Sequence, residues 1–203
     1  MTRNYKLVIV GCDMGYVKEL VKNRSVHQTV FTVAELAQIV NDYHGQKLYA
    51  ALNFAKKAGD LINVTRGIYA LNSDYSRWEL GNKLRIPSYV SLYSVLQKEG
   101  VVFQPYTSVF LIAKRVETLE LDEQKYIYRK MKDEILLNPL GIEIQNGVAV
   151  AKIERAICDK IYLDGEEYFD NLRSVNWEFM TRLNEDVYGK CEVIKQYIRR
   201  NKR

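Results

Sequence analysis

Apolar positions between residues 16 and 71 switch repeatedly between helical and strand spacing. "YVKELVKNR" (16–24) reads as a short amphipathic helix and "TVF" (29–31) as a brief strand. Val33, Leu36, Ala37 and Val40 then recur at i, i+3, i+4 and i+7, one face of a helix. Thr32 and Glu35 stand at capping-box spacing, so hydroxyl and carboxylate each meet a backbone N–H that a helix start leaves unpaired. Phe31 before the cap and Leu36 at the fourth helical position make the matching hydrophobic staple. "NDYHG" (41–45) is rich in turn formers. A further helix is predicted over 46–58, with Leu48, Ala51, Leu52 and Ala55 as its apolar stripe and Gly59 as its stop. "LINVTRGIYAL" (61–71) is two apolar runs meeting at Thr65-Arg66-Gly67, a hairpin whose glycine permits positive φ. Helix, strand, helix, turn, helix and hairpin in this order predict a winged helix-turn-helix.

After Leu71 the pattern changes. Helices are predicted near 75–84, capped by "NSD" and ended by Pro87, and near 89–99, with Tyr89, Leu92, Tyr93 and Leu96 on one face. Strands follow at 108–113, 115–121, 124–132 and 142–151, the last holding Asn146-Gly147, a type I′ hairpin signal. Helices resume at 152–163, with Ile153, Ala156, Ile157 and Ile161 on a face, then at 175–183 and 186–200. The expected fold is α+β. It comprises an N-terminal winged helix-turn-helix with an N-terminal extension (1–73) and a mixed α/β domain with an antiparallel-rich sheet (74–203).

Composition narrows the function classes. An apolar fraction of 47% and only three prolines describe a folded globular chain. No apolar run reaches the roughly 20 residues of a membrane span, and the short run ended by Gly11 falls below the roughly 7–15 of a secretory signal core. A cytoplasmic protein without a membrane partner is the expectation. Cys12, Cys158 and Cys191 are odd in number and far apart, consistent with free thiols. His27 and His44 alone leave little material for zinc or histidine catalysis, so no metal or cofactor is expected. A net charge of +5 permits a nucleic-acid partner without requiring one, and "YIRRNKR" at the end reads as a solvated basic helix end.

Five stretches carry candidate chemistry. On the polar face of the 46–58 helix, Gln46 and Asn53 have the paired donors and acceptors that engage adenine, while Lys47, Tyr49, Lys56 and Lys57 can reach phosphates or bases. Beside it, Arg66 at the hairpin tip suits a minor groove and Thr65 a phosphate. "KLVIVGCDMG" (6–15) has the ingredients of a phosphate-binding turn, but Gly11 and Gly15 lack the third glycine of GxGxxG and no GK[ST] follows. "KYIYRKMK" (125–132) alternates tyrosines with cations, a pattern that can serve base stacking, though an ordinary half-exposed strand is the favoured reading. Glu154, Arg155 and Asp159 fall on the polar side of a helix, where a structural ion pair is favoured over acid–base work. No set forms a catalytic constellation, so no enzyme is expected.

In order and spacing, "LINVTRGIYAL", "YVSLYSVLQKEGVV", "TSVFLIAKR" and "GVAVAKIERAICDKIYL" resemble the AbiE-type abortive-infection antitoxins, the antitoxin-regulators of type IV toxin–antitoxin systems. The resemblance spans about residues 28–163. It implies an N-terminal winged helix that binds double-stranded DNA repeats in the promoter of its own operon. It also implies a C-terminal domain that counteracts a nucleotidyltransferase-like toxin without a stable complex. Carried onto this chain, the DNA contacts are the exposed face of helix 46–58 with Thr65 and Arg66, and Arg129, Lys130 and Lys132 form a secondary basic patch. The alternative is a winged-helix adaptor that binds proteins without specific DNA binding.

Overall fold

The computed structural model describes residues 14–202, and the chain divides into two compact units, residues 1–76 and 77–203. Of the expected strand and glycine loop "KLVIVGCDMG", residues 6–13, Cys12 included, lie outside the described residues.

In the first unit α1 (Met14–Asn23), β1 (Val30–Thr32), α2 (Val33–Ile39), α3 (Gly45–Ala58), β2 (Ile62–Thr65) and β3 (Ile68–Ala70) follow in chain order. The strands form an antiparallel sheet in the order β1-β3-β2, with Val30 opposite Ala70 and Thr32 opposite Ile68. Tyr16 and Leu20 of α1 join Phe31, Leu36, Leu48, Leu52 and Leu61 in one buried cluster. Each such side chain contributes about 1.5–3 kcal/mol by leaving water. The expected capping box is present: Thr32 Oγ1 accepts from the Glu35 amide at 3.2 Å, and Glu35 accepts from the Thr32 amide at 2.7 Å. Gly59 ends α3 at φ +81°, a left-handed cap open to glycine at little cost.

The second unit contains α4 (Arg77–Leu84), β4 (Ser88–Val90), α5 (Tyr93–Lys98), β5 (Val109–Ala113), β6 (Glu117–Leu121), β7 (Gln124–Lys130), α6 (Asp133–Leu136), β8 (Ile142–Gln145), β9 (Val148–Ala151), α7 (Ile153–Asp164), α8 (Trp177–Asp186) and α9 (Glu192–Asn201). Its six strands form a mixed sheet, β6-β7-β5-β4-β9-β8. The β6/β7, β4/β5 and β8/β9 pairs are antiparallel, and β5/β7 and β4/β9 are parallel. Asn146 and Gly147 take positive φ at the expected hairpin. Asp122 and Glu123 do the same between β6 and β7, without a glycine to announce it.

Two expectations are corrected. Residues 88–90 are a strand, not the start of a helix over 89–99, because Tyr89 and Val90 are buried in the middle of the sheet. A short run buried on both faces has no periodicity to separate it from helix. The last helix starts at Glu192, since Gly189 and Lys190 adopt φ near +60° and interrupt the expected 186–200 span. The ion pair expected of Arg155 and Asp159 is present, with Nε and Oδ1 3.5 Å apart on a buried side of α7. Among the described residues, no helix is long and apolar enough to cross a membrane.

Candidate nucleic-acid interface

The two faces of α3 separate cleanly. Leu48, Ala51, Leu52 and Ala55 are buried in the first unit's core. Gln46, Lys47, Tyr49, Asn53, Lys56 and Lys57 are all exposed. The helix carries three lysines and no carboxylate, so its outer face is positive at both ends and uncharged between them. Lys47 Nζ donates to the Asp42 carbonyl at 3.0 Å and lies 4.3 Å from the centre of the Tyr43 ring, which holds this cation at the helix start. Lys56 and Lys57 occupy the last turn, where a cation also suits the helix dipole.

The hairpin is braced from within. Asn63 Nδ2 donates to the carbonyls of Thr65 at 2.8 Å and Ile68 at 3.2 Å, and a register irregularity separates Asn63 from Thr65. Gly67, at φ +77°, makes the turn and accepts through its carbonyl from the Val33 amide at 3.1 Å. That bond ties the hairpin tip to the first residue of α2. Arg66 is exposed there, while Thr65 is half-buried. The tip therefore presents a single cation on a backbone that is already fixed. Tyr69 of β3 has its phenol raised above the ordinary range, chiefly by burial and then by the neighbouring Tyr49 hydroxyl, so the α3 face and the hairpin adjoin.

The secondary basic patch is not uniform. Arg129 forms a two-pronged pair with Asp164, at 2.5 and 3.2 Å, which spends its charge inside the unit. Lys130 and Lys132 are exposed beyond it. Tyr126 and Tyr128 are fully buried, and the Tyr128 hydroxyl donates to the Gly81 carbonyl at 2.8 Å. Of the two readings of "KYIYRKMK", base stacking on the tyrosines is therefore ruled out.

Sequence reasoning missed the extent of a polar network inside the second unit. Asp159 accepts from Tyr89 at 3.0 Å, Ser91 at 2.7 Å and Tyr188 at 2.7 Å, and faces Arg155 Nε at 3.5 Å. Arg155 also donates to the carbonyls of Leu140 and Ile135, both at 2.7 Å. Burial pushes the Asp159 carboxyl up, against Arg155 and the three hydroxyls that pull it down. The i, i+4 spacing of Arg155 and Asp159 was visible, but the partners came from residues far along the chain. Arg155 Nε makes no hydrogen bond of its own, and both Arg155 and Asp159 are fully buried, an arrangement that orients helices. Among the described residues, no cluster of His, Cys, Asp or Glu could hold a metal ion, and Cys158 and Cys191 are free thiols.

No protein-family model matches the chain, and no curated protein matches it significantly.

Proposed function

We propose that the chain is a DNA-binding transcriptional regulator. Its first unit is read as a winged helix-turn-helix, with α3 in the major groove and the β2–β3 hairpin as the wing. One observation carries this reading: α3 buries its apolar stripe and exposes Gln46, Tyr49, Asn53, Lys56 and Lys57 on a face free of carboxylate. A helix of this width fits the major groove, and Gln and Asn supply the paired donor and acceptor that read adenine. The hairpin follows α3 directly in the chain and is joined by β1 in a three-stranded sheet, which supports it further. The resemblance to AbiE-type antitoxins extends the proposal. The chain represses its own operon and counteracts a nucleotidyltransferase-like toxin without a stable complex, as a cytoplasmic, non-enzymatic protein.

Fluorescence anisotropy with duplex DNA from upstream of the gene tests the reading. Arg66→Ala is expected to weaken binding and to make the slope of log K against log[salt] shallower by about 1. The double variant Lys56→Gln/Lys57→Gln is expected to lower it by about 2. Asn53→Ala is expected to cost about 1–3 kcal/mol on the cognate duplex and little on a scrambled one. Equal affinity for cognate and scrambled duplexes, with a salt slope that none of these variants moves, would sink the proposal. Tyr49, Phe54 and Ile62 are exposed apolar groups in the same unit, and they favour the adaptor as second reading, in which a protein covers them.

A further inference from the structure

A second set of cations surrounds a cavity in the other unit, within residues 181–199 and outside everything the DNA-binding reading uses. The cavity measures about 350 Å³, within the range of small-ligand sites. Lys190, Lys195 and Arg199 line it. Lys195 approaches Glu192 at 3.4 Å, while the side chains of Lys190 and Arg199 have no hydrogen-bond or ion-pair partner among the described residues. Among the described residues, Glu185 is the one carboxylate on the wall. Three cations against one acid, in a concavity, form an anion-attracting site.

The rest of the wall calls for more than an anion. Asn184 is only 4% exposed, lines the cavity, and leaves its Oδ1 enclosed without a partner. An unpaired buried acceptor costs about 1–3 kcal/mol. The terminal torsion of an asparagine is broad, so its amide can turn that oxygen to a ligand N–H entering the cavity. The Glu185 carboxylate is a second acceptor, and Ile198, 6% exposed, adds an apolar surface. Cations, unmet acceptors and an apolar residue together match an anion carried on a body that offers N–H donors and some apolar surface.

We propose that this cavity binds a nucleoside monophosphate. Lys190, Lys195 and Arg199 hold its phosphate, and Asn184 and Glu185 accept from the amine of its base. The proposal stands apart from DNA binding through α3 and does not depend on it.

Isothermal titration calorimetry of the full chain, in phosphate-free buffer of low ionic strength, tests it with AMP, inorganic phosphate and adenosine as probes. AMP is expected to bind at least tenfold more tightly than either half alone. The double variant Lys190→Gln/Arg199→Gln, which changes only exposed side chains, is expected to lower AMP affinity at least tenfold with an unchanged circular dichroism spectrum. Asn184→Leu is expected to bring AMP down towards phosphate while phosphate binding holds. Where that buried substitution lowers folded yield, the exposed Glu185→Ala is expected to narrow the gap between AMP and phosphate, because it removes an acceptor for the base and lifts a negative charge from beside the phosphate. Absence of AMP binding at millimolar concentration, equal affinity for AMP and phosphate, or AMP binding unmoved by the double variant each overturns the assignment.

Discussion

Asp159 is the residue on which most of the second unit's polar geometry converges. Three hydroxyls and a guanidinium from three segments, one of them its own helix, meet its two oxygens, with no water-exposed side. Removing one partner of such a pair leaves the other charge buried and uncompensated. Asp159→Ala is therefore expected to destabilise the protein by about 3–5 kcal/mol in urea unfolding. Replacing Arg155 and Asp159 together by apolar residues of similar volume should cost less than Asp159→Ala alone. A double variant no more stable than the single one would show that the hydroxyl bonds, not the ion pair, dominate. In the sequence this site was only a polar i, i+4 pair. Nothing local to "ERAICD" tells that Tyr89, Ser91 and Tyr188 arrive to satisfy it, so the ion pair was legible and its burial and hydroxyl partners were not.

At the scale of elements, legibility followed how local the cause is. The capping box, the staple and the left-handed stop are decided within a few residues, and α2 and α3 stand where those signals place them. The exposed and buried faces of α3 are likewise set by spacing alone. Thr32→Ala should consequently cost about 1 kcal/mol, read from the urea midpoint, because it removes the acceptor for the Glu35 amide. β4 and the start of α9 were not legible. A three-residue strand acquires its identity from neighbours in the sheet, and a left-handed lysine at position 190 is stabilised by its amide donating to the Asn184 carbonyl at 2.8 Å. The hairpin tip lies between these cases: the turn glycine was visible, but its tie to Val33 depends on how β1 pairs.

For the molecule as a whole, acid stability follows from ion pairs in the second unit. Arg129 holds the Asp164 carboxyl below its ordinary range, and Arg85 does the same for Glu117, in both cases chiefly through side-chain hydrogen bonds. Each group binds fewer protons folded than unfolded between its two pKa values, so stability rises with pH there. Their contribution is complete above the unfolded carboxylate range, near pH 4–5, and is lost as pH falls through the lower folded values. Asp159 runs the other way: its raised pKa favours the protonated form, a contribution lost as pH rises through the folded value. Arg129→Gln is expected to lower the midpoint of urea unfolding at pH 7 and to flatten its decline below pH 4. An acid limb identical to that of the parent chain would count against the pairing.

The β4 strand bears on how the protein folds as well as how it is held. It pairs with β5 over three residues but meets β9 only where Val90 faces Val150. The hairpins on either side, β6–β7 and β8–β9, close over short loops, whereas joining β4 to β9 spans some 60 residues of chain. Contacts between distant residues carry the larger closure entropy and slow the search. Tyr89 and Ser91 flank Val90 and bond to Asp159, so the same carboxylate that anchors the interior also seals this seam. The slow event in forming the second unit is then expected to be the capture of one short strand, with its completion registered in the burial of a single acid.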